Sequence, residues 1–490
     1  MTSWVLFFQE VESGINSGKL KIGCRCSNPQ QSQTTTITMA TTNTPSRVAL
    51  VGCGWWAQGW HLPHLAANAP HVVIAAIVDP SPLPISTLAS SPLLSLVELS
   101  KKYNCPHYTS VEDMLADPEV GPTLDGAIVA TSHASHFQVG MALLKEGVHR
   151  RRMAEAVEKE QGAAGSTKRS RPRALHIMME KPMTTSVQEA IEMCKMSMTY
   201  PEGAFVINHT ASYRPQTFVA KEIISSGQLG KIRHITATMN GGLMWLFDDK
   251  KNESWVSKTP WKKGEEESTT GSENNKPMLG NGYAWGQIAH ILAWIYAVLG
   301  EDDVAVPTKV FCSMTHCSTG ADISLAAVIM CSDGVTFSIS GTALLPGSQY
   351  ADPPVGKRIN VEIFGIKGCL LYGGDDTMPD SGKLELRRSA FGEKEDGQSV
   401  FPCSQGEATK EFKDGFYFED GEQSGKGPGS MNVFLEACKL GKECEESIAT
   451  LVDEREPSSL ANDSLIGVRT VQIIDAMYKS SISGNAVDVQ

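Results

Sequence analysis

The chain has 490 residues and a formal net charge of −12 at pH 7. This length is enough for two or three domains with sizeable cores, and the acidic balance argues against a nucleic-acid partner. The most apolar helical stretch, residues 291–299, is far shorter than the roughly 20 residues that a bilayer requires, so no membrane association is expected.

Twelve cysteines are scattered along the chain without C-x-x-C pairs, a pattern that favours reduced thiols over a disulfide framework. Cys24 and Cys26, or Cys312 and Cys317, lack a second pair at zinc-finger spacing. No metal site is therefore predicted.

The first 46 residues are predicted to be a disordered leader. Gln, Thr and Ser dominate residues 28–46, and this composition cannot build a core. The apolar run 4–8 is too short for a secretory signal, and Glu10 and Glu12 argue against an organellar transit peptide. A cytoplasmic location is therefore expected.

A buried-strand pattern at residues 48–51 leads directly into a G-x-G-x-x-A turn. Gly52 permits the tight turn, Gly54 allows the backbone to approach a pyrophosphate, and Ala57 allows close packing of helix on strand. The N–H groups of the following helix then face the phosphates. This turn predicts a dinucleotide site. The start of the helix adds three candidate pocket residues: Trp55, Trp56 and His61.

The second predicted strand, residues 72–78, ends at Asp79, 22 positions after Ala57. A carboxylate at this distance is typical of a residue that binds the ribose hydroxyls of NAD, and it would repel the 2′-phosphate of NADP. We therefore expect NAD rather than NADP. The alternative is a turn-forming Asp-Pro, because Pro80 follows.

Further apolar runs alternate with helical patterns, as in a doubly wound parallel sheet. Strands are predicted at residues 107–109 and 124–130. The second of these ends at Thr131, Ser132 and His136, which we expect beside the cofactor because ligands bind beyond the carboxyl ends of parallel strands. Thr131 or Ser132 could equally cap the next helix, which we expect to end at Lys145.

Residues 149–173 contain eight arginines and lysines with a Gly-Ala-Ala-Gly-Ser patch, and we interpret them as a basic surface insertion. The fifth strand follows at residues 174–179. Its carboxyl end is followed by Glu180, Lys181 and Pro182.

At this point the chain resembles the Gfo/Idh/MocA family, the glucose–fructose oxidoreductases and inositol dehydrogenases. The resemblance extends from Arg47 to the C-terminus and rests on the order of several pieces. These are the glycine turn, Asp79, Ala130-Thr131-Ser132-x₃-His136, Glu180-Lys181-Pro182, Tyr213-Arg214-Pro215, residues 226–232, Gly365-Ile366-Lys367-Gly368, and the helix end at residues 478–484. It implies that Lys181 stands beside the nicotinamide, with Glu180 orienting it and a cis bond before Pro182.

The resemblance also implies the fold class: an α/β chain with an N-terminal Rossmann domain, residues 47–208, and a C-terminal α+β domain, residues 209–490, built on a large, mostly antiparallel sheet. Strand patterns support the second domain at residues 232–239, 309–314, 323–331, 335–341, 359–364 and 369–371. The same sheet is the family's usual dimer surface, so a homo-oligomer is expected. Residues 250–276 and 393–427 are interpreted as loops.

A lysine at the strand end suits hydride transfer, because an ammonium stabilises the alkoxide-like transition state and an acid/base group must carry the hydroxyl proton. His290 matches the family's acid/base histidine. Gly286, however, replaces the carboxylate that normally precedes this histidine by four residues, so Lys181 alone remains an alternative proton carrier. Four residues are weaker candidates for contacting substrate: Tyr213, Arg214, Tyr283 and Gln287.

The sequence thus predicts an NAD(P)-dependent oxidoreductase that acts on a secondary alcohol or ketone of a sugar, inositol or related polyol. Lys181 and His290 are its predicted catalytic residues. Two alternatives stay open. One is a catalytically inactive nucleotide-binding regulator of the same fold, and the other is a glycosidase or lyase that uses tightly bound NAD transiently.

Overall fold

The computed structural model describes residues 44–86, 92–163, 173–248, 280–300, 304–348, 351–378, 381–388, 392–393, 399–400, 425–443 and 462–490. Of the predicted leader, residues 1–43 lie outside this set, as do most of the two predicted loops at 250–276 and 393–427. By their contacts, Pro45–Gln490 form one compact unit. None of the helices in the described ranges is long and apolar enough to cross a membrane.

A six-stranded parallel sheet forms the N-terminal part. Its strands are β1 (Ser46–Val51), β2 (Val72–Val78), β3 (His107–Tyr108), β4 (Gly126–Val129), β5 (His176–Met179) and β6 (Phe205–Ile207), in the order β3-β2-β1-β4-β5-β6. The strand order reverses at β1, and ligands bind beyond the carboxyl ends of such strands at this switch point. The glycine turn, Asp79, Thr131 and Glu180 all follow strands at this edge. The predicted Rossmann sheet is confirmed.

Helices cover this sheet: α1 (Leu62–Ala67), α2 (Leu96–Tyr103), α3 (Val111–Ala116), α4 (His136–Ala163) and α5 (Val187–Met198). The prediction that α4 ends at Lys145 is wrong, because the helix continues to Ala163. Residues 149–163 therefore form a helix rather than a surface loop. Arg150 explains part of this extension, since its buried guanidinium donates to the carbonyl oxygens of Leu124 and Gly121 at 2.7 and 2.6 Å. Residues 164–172 of the basic insertion lie outside the described ranges.

An eight-stranded, mostly antiparallel sheet forms the C-terminal part, as predicted. Its strands are β7 (Ile232–Asn240), β8 (Pro307–His316), β9 (Asp322–Cys331), β10 (Thr336–Thr342), β11 (Arg358–Gly365), β12 (Gly368–Asp375), β13 (Lys383–Arg388) and β16 (Val487–Asp488). A short hairpin, β14 (Gly392–Glu393) and β15 (Ser399–Val400), stands apart from it. The accompanying helices are α6 (Pro215–Ser225), α7 (Met244–Phe247), α8 (Ala289–Leu299), α9 (Gly429–Glu443) and α10 (Ser464–Ser483).

One face of the second sheet is buried and the other is open. β9 alternates between buried and exposed side chains, as expected for a strand with one solvated face. Helix α10 packs on β8, α8 and α5, so it joins the second sheet to the helical layer of the first. It ends at Gly484, which has a left-handed conformation, and this confirms the predicted helix end.

Helix α9 covers the first sheet, although it follows the second in sequence. Its residues Met431, Phe434 and Cys438 belong to the same buried cluster as residues of β1, β4 and β5. A Cβ on Gly126 of β4 would lie 2.6 Å from atoms of both Phe434 and Cys438. The sequence patterns did not predict that a helix so late in the chain packs on the first sheet. The domain boundaries of 47–208 and 209–490 stay a prediction.

We expect Phe434→Ala to destabilise the protein by about 3–5 kcal/mol, because it removes a fully buried ring from the contact between α9 and the sheet. Leu440→Ala on the same helix is the matched control, since Leu440 is 41% exposed. Chemical denaturation of both variants provides the measurement. Equal midpoints for the two variants would contradict the packing of α9 described above.

Candidate active site

The glycine turn after β1 is held by short contacts on one side and is open on the other. Gly52 has φ +91°, and a Cβ there would lie 2.5 Å from the Ala130 carbonyl oxygen, so only glycine fits. A Cβ on Gly54 would meet nothing within 4 Å. Ala57 is fully buried in the hydrophobic cluster that also contains Val48 and Leu50 of β1. The turn therefore has the close packing and the open approach that a pyrophosphate requires.

Asp79, which follows β2, is hydrogen-bonded to the backbone of this turn. Its Oδ2 accepts a hydrogen bond from the Cys53 N–H at 2.7 Å, and its Oδ1 accepts one from the Ser81 N–H at 2.8 Å. The carboxylate thus lies beside the turn and remains partly exposed. These residues fit an NAD molecule whose ribose hydroxyls meet Asp79.

The helix after the turn begins with a π-helical segment, Ala57–His61, before α1. The Trp56 ring stacks on Trp60 at 5.2 Å between centroids and lies 5.8 Å from the Trp55 ring. Trp56 and His61 both point toward the end of β5. There, both side chains contact the carboxylate of Glu180.

Glu180 is that carboxylate, and three donors converge on its Oε1. Trp56 Nε1 and His61 Nε2 lie 2.8 Å away, and Asn208 Nδ2 lies 2.7 Å away. Behind Asn208, the Ser430 hydroxyl of α9 donates to Asn208 Oδ1 at 2.6 Å. Burial would raise the pKa of Glu180, but the hydrogen bonds from His61 and Asn208 and the neighbouring charges outweigh it and lower this pKa to about 2. Glu180 is therefore an anion at neutral pH.

The next residue is Lys181, and its side chain contacts Gly286 rather than the donors around Glu180. The Lys181–Pro182 bond is cis, which confirms the expectation from the resemblance. The Lys181 Nζ donates a hydrogen bond to the Gly286 carbonyl oxygen at 2.6 Å. Burial lowers the pKa of Lys181 to about 8, aided by the charge of Lys357 and opposed by Glu180. An ammonium and a neutral amine are thus both accessible near neutral pH.

The end of β4 lies between the glycine turn and Lys181. Thr131 is partly exposed and Ser132 is exposed, with the Ser132 Oγ 2.9 Å from the Ser135 Oγ. His136 is fully buried, and its ring nitrogens lie 2.7 Å from the Pro182 carbonyl oxygen and 3.2 Å from that of Thr131. His136 therefore joins the ends of β4 and β5 through the backbone.

A second π-helical segment, Ala284–Ile288, precedes α8 and carries Gly286. The buried carboxylate of Asp322 anchors its start, because its Oδ2 accepts from the Ala284 N–H at 2.8 Å and its Oδ1 from the Tyr478 hydroxyl at 2.6 Å. A Cβ on Gly286 would come no closer than 3.7 Å to Phe247. A Cβ at this position would therefore make only an ordinary van der Waals contact.

His290 is buried in α8, and its ring meets the His209 ring edge-on at 5.7 Å between centroids. Burial lowers the pKa of His290 well below its usual value, and the charges of Lys181, Lys357 and Arg214 act in the same direction. The imidazole is therefore neutral. Lys181 and His290, predicted separately, lie within electrostatic reach of each other.

The weaker substrate candidates have partners inside the protein. The Tyr213 hydroxyl donates to Asp463, and the Tyr283 hydroxyl donates to the Met239 carbonyl oxygen at 2.7 Å. Arg214 is buried and donates from Nη1 to the Tyr372 hydroxyl at 3.1 Å. Gln287 is buried, and its Oε1 has no hydrogen-bond partner within the described ranges. Their contact with substrate stays a prediction.

Sequence reasoning missed four residues around this site: Asn208, His209, Lys357 and Ser430. Asn208 and His209 directly follow β6, so a search for polar residues at strand ends would have found them. Lys357 and Ser430 lie far along the chain and carried no local signal.

The geometry defines a class of protein: a Rossmann fold with a dinucleotide turn and a lysine beside it. The Gfo/Idh/MocA family model, described as an oxidoreductase family with an NAD-binding Rossmann fold, matches residues 46–150. The predicted resemblance is confirmed over these residues, which are similar to the NAD-binding Rossmann fold of that family. No curated protein matches the chain.

Solved structures share the fold over most of the chain. WlbA dehydrogenase from Bordetella pertussis, in complex with NADH and UDP-GlcNAcA, is 15% identical with a TM-score of 0.54, covering 91% of this chain and 99% of its own. Levoglucosan dehydrogenase in complex with NADH is 16% identical with a TM-score of 0.56, covering 91% and 100%. Myo-inositol 2-dehydrogenase from Lactobacillus plantarum is 16% identical with a TM-score of 0.51, with the same coverage.

We expect Gly54→Ala to fold normally but to bind NAD about tenfold or more weakly, because the added methyl occupies the side from which the pyrophosphate approaches. Gly52→Ala is the contrasting variant. Its positive φ and contact with Ala130 should lower stability by about 1–3 kcal/mol. Melting curves and NAD titrations separate the two effects, and unchanged NAD affinity in Gly54→Ala would contradict the assigned phosphate site.

Proposed function

We propose that the protein is an NAD-dependent oxidoreductase that transfers hydride between nicotinamide and a secondary alcohol or ketone of a sugar, inositol or related polyol. The observation that carries this proposal is Lys181: a partly buried lysine whose pKa is lowered to about 8, at the carboxyl edge of the sheet, directly after Glu180, which Trp56 of the glycine turn contacts. The similar structures named above include dehydrogenases with NADH, and their names point to sugars and inositol.

The residues that would hold NAD lie along the edge of the parallel sheet. The turn from Gly52 to Ala57 would take the pyrophosphate, and Asp79 the adenosine ribose, which disfavours NADP. Further cofactor contacts are proposed for Trp55, Trp56, Thr131 and Ser132, whereas His136 and Glu180 would act by positioning the strand ends. When bound, NAD supplies the hydride acceptor for alcohol oxidation.

Lys181 would carry both charge stabilisation and proton transfer. As an amine it accepts the hydroxyl proton of an alcohol, and as an ammonium it returns that proton to a ketone and stabilises the developing alkoxide. His290 has its pKa held well below the usual range, so it is a weak base. We propose that His290 hydrogen-bonds the reacting oxygen and that Lys181 moves the proton.

Gly286 favours a second candidate function, an inactive nucleotide-binding regulator. The family's helper carboxylate is absent at this position, and a regulator would not need it. The lowered pKa of Lys181 favours the enzyme, because a merely structural lysine needs no such value.

A cytoplasmic location is proposed from the cysteines. The eight cysteines within the described ranges are all free thiols, and six of them are buried. Free thiols are typical of reducing compartments. Fractionation of cells that express the full chain would test this.

We also propose a homo-oligomer formed through the open face of the second sheet. Phe311 of β8 lies opposite Val328 of β9 in the strand register, and both are more than 40% exposed, as is Met330. Adjacent apolar side chains on an open sheet face are typical of an interface. The resemblance to the family implies a second copy of the same chain as the partner.

If Lys181 is the proton carrier, alcohol oxidation should rise with pH and level off above about 8, because only the neutral amine accepts a proton. Ketone reduction should fall over the same range. Lys181→Ala should lower kcat by about 10²–10⁴-fold, whereas Lys101→Ala, at an exposed position on α2, should leave it unchanged. Rates are followed by NADH absorbance with a panel of sugars, inositols and diols. A pH-independent rate, or full activity in Lys181→Ala, would exclude this role.

Gly286→Asp provides an independent test of the same site. A Cβ at this position meets no atom closer than 3.7 Å, and we expect the added carboxylate to lie near Lys181, whose Nζ contacts the Gly286 carbonyl oxygen, and to favour the ammonium form. The pKa of Lys181 should rise, so the oxidation profile should shift to higher pH. Gly286→Asn, which has a similar size and no charge, is the control. An identical shift in both variants would indicate a steric rather than an electrostatic cause.

Val328→Glu should dissociate the oligomer, because it places a charge at the centre of the proposed interface. Val97→Glu, at a 48% exposed position on α2, is the control. Light scattering of both variants at equal concentration gives the molecular mass. An unchanged mass for Val328→Glu would place the interface elsewhere.

A further inference from the structure

We propose that His209 is a substrate-contact residue whose imidazole hydrogen-bonds a hydroxyl group next to the reacting carbon. This proposal rests on the proposed function, and it assigns to that site a residue that the sequence patterns did not indicate. It also names the chemistry of the ligand: a neutral group that both donates and accepts a hydrogen bond, such as an alcohol adjacent to the one that is oxidised.

His209 stands at the end of β6, where the chain bends into a 3₁₀ turn, Thr210–Tyr213. The preceding residue, Asn208, donates to Glu180 and so belongs to the network that holds Lys181. The side chain of the following residue, His209, contacts the His290 ring. Two successive residues thus contact Glu180, which precedes Lys181, and His290.

The imidazole of His209 is buried without hydrogen bonds. The residue is 2% exposed, and neither ring nitrogen has a partner anywhere in the described part of the chain. Two other buried histidines each have a paired ring nitrogen: His133 Nδ1 lies 2.9 Å from the Gly280 carbonyl oxygen, and His176 Nδ1 accepts from the Ala204 N–H at 3.0 Å. An unpaired buried polar group costs stability, so its retention at a strand end calls for a function.

The surroundings of His209 specify what it can bind. Burial lowers its pKa to about 3, with the charge of Lys181 acting in the same direction and that of Glu180 opposing it. A neutral imidazole offers one donor and one acceptor. Because the ring lies against His290 and within the field of Lys181, a group bound to it would be next to the oxygen that these residues serve.

The hydroxyl of a substrate and the carboxamide of nicotinamide share this donor and acceptor chemistry. The observations favour the substrate, because the ring contact of His209 is with His290 on α8 rather than with the dinucleotide turn. The missing carboxylate at Gly286 supports the same choice. Without it, the substrate needs another polar side chain to fix its orientation.

The decisive variant is His209→Phe, which keeps an aromatic ring against His290 and removes both nitrogens. We expect it to fold, with an unchanged or higher melting temperature because two unpaired polar atoms are lost. We expect kcat/KM for a polyol to fall about 10- to 100-fold, as for the loss of one or two buried hydrogen bonds. The affinity for NAD should change less than about twofold, since the proposal involves no cofactor contact.

Two further variants control the experiment. His209→Gln retains a donor and an acceptor and should recover part of kcat/KM. His176→Gln alters a histidine of similar burial in the same sheet, at the start of β5. It should lower the melting temperature and leave kcat/KM unchanged. A substrate that lacks the adjacent hydroxyl should lose affinity for the native protein but not for His209→Phe.

Unchanged kcat/KM in His209→Phe would overturn the proposal, and a matching loss of NAD affinity would assign His209 to the cofactor instead. Failure of the proposed function is seen separately, as NAD binding by the native protein without turnover of any alcohol in the panel. The ¹⁵N resonances of the His209 imidazole give a readout that needs no activity. They should shift when polyol is added to the NADH complex, and their constancy would also overturn the proposal.

Discussion

The site depends on one largely buried carboxylate, that of Glu180, whose side chain is 13% exposed. Three donors from two parts of the chain, Trp56 and His61 on the first helix and Asn208 after β6, meet on a single oxygen of Glu180. Removing this charge from water is costly, and the hydrogen bonds to the ionised form, together with neighbouring charges such as that of Lys181, offset the cost. Because Lys181 is the next residue, the hydrogen bonds that hold Glu180 also fix the backbone from which the Lys181 side chain extends.

The same network joins distant parts of the chain. Ser430 supports Asn208 from α9, and α9 itself packs on the parallel sheet. Lys181 extends the connection to Gly286 in the segment before α8. The nucleotide-binding edge and the helix with His290 are therefore linked through Glu180 and Lys181.

Local patterns predicted the parts of the site that lie at strand ends. Gly52, Asp79 and the Glu180–Lys181 pair each follow a buried strand, and parallel strands place their carboxyl ends along one edge. The contacts of His209 with His290 and of Ser430 with Asn208 join residues 81 and 222 positions apart, and no periodicity encodes such pairs. The length of α4 was missed for a related reason. Arg150 looks like a surface charge in sequence, yet its guanidinium is buried on backbone carbonyls.

Both helices that carry the site begin with π-helical turns, Ala57–His61 and Ala284–Ile288. Such turns are rare and are found frequently at functional sites, because the wider turn changes the directions of side chains and carbonyl groups relative to the helix that follows. Here one turn contains His61, which meets Glu180, and the other contains Gly286, whose carbonyl oxygen meets Lys181. The two irregular turns thus hold the two members of the Glu-Lys pair. The departure from regular helix geometry thus coincides, in both helices, with the residue that contacts the Glu180–Lys181 pair.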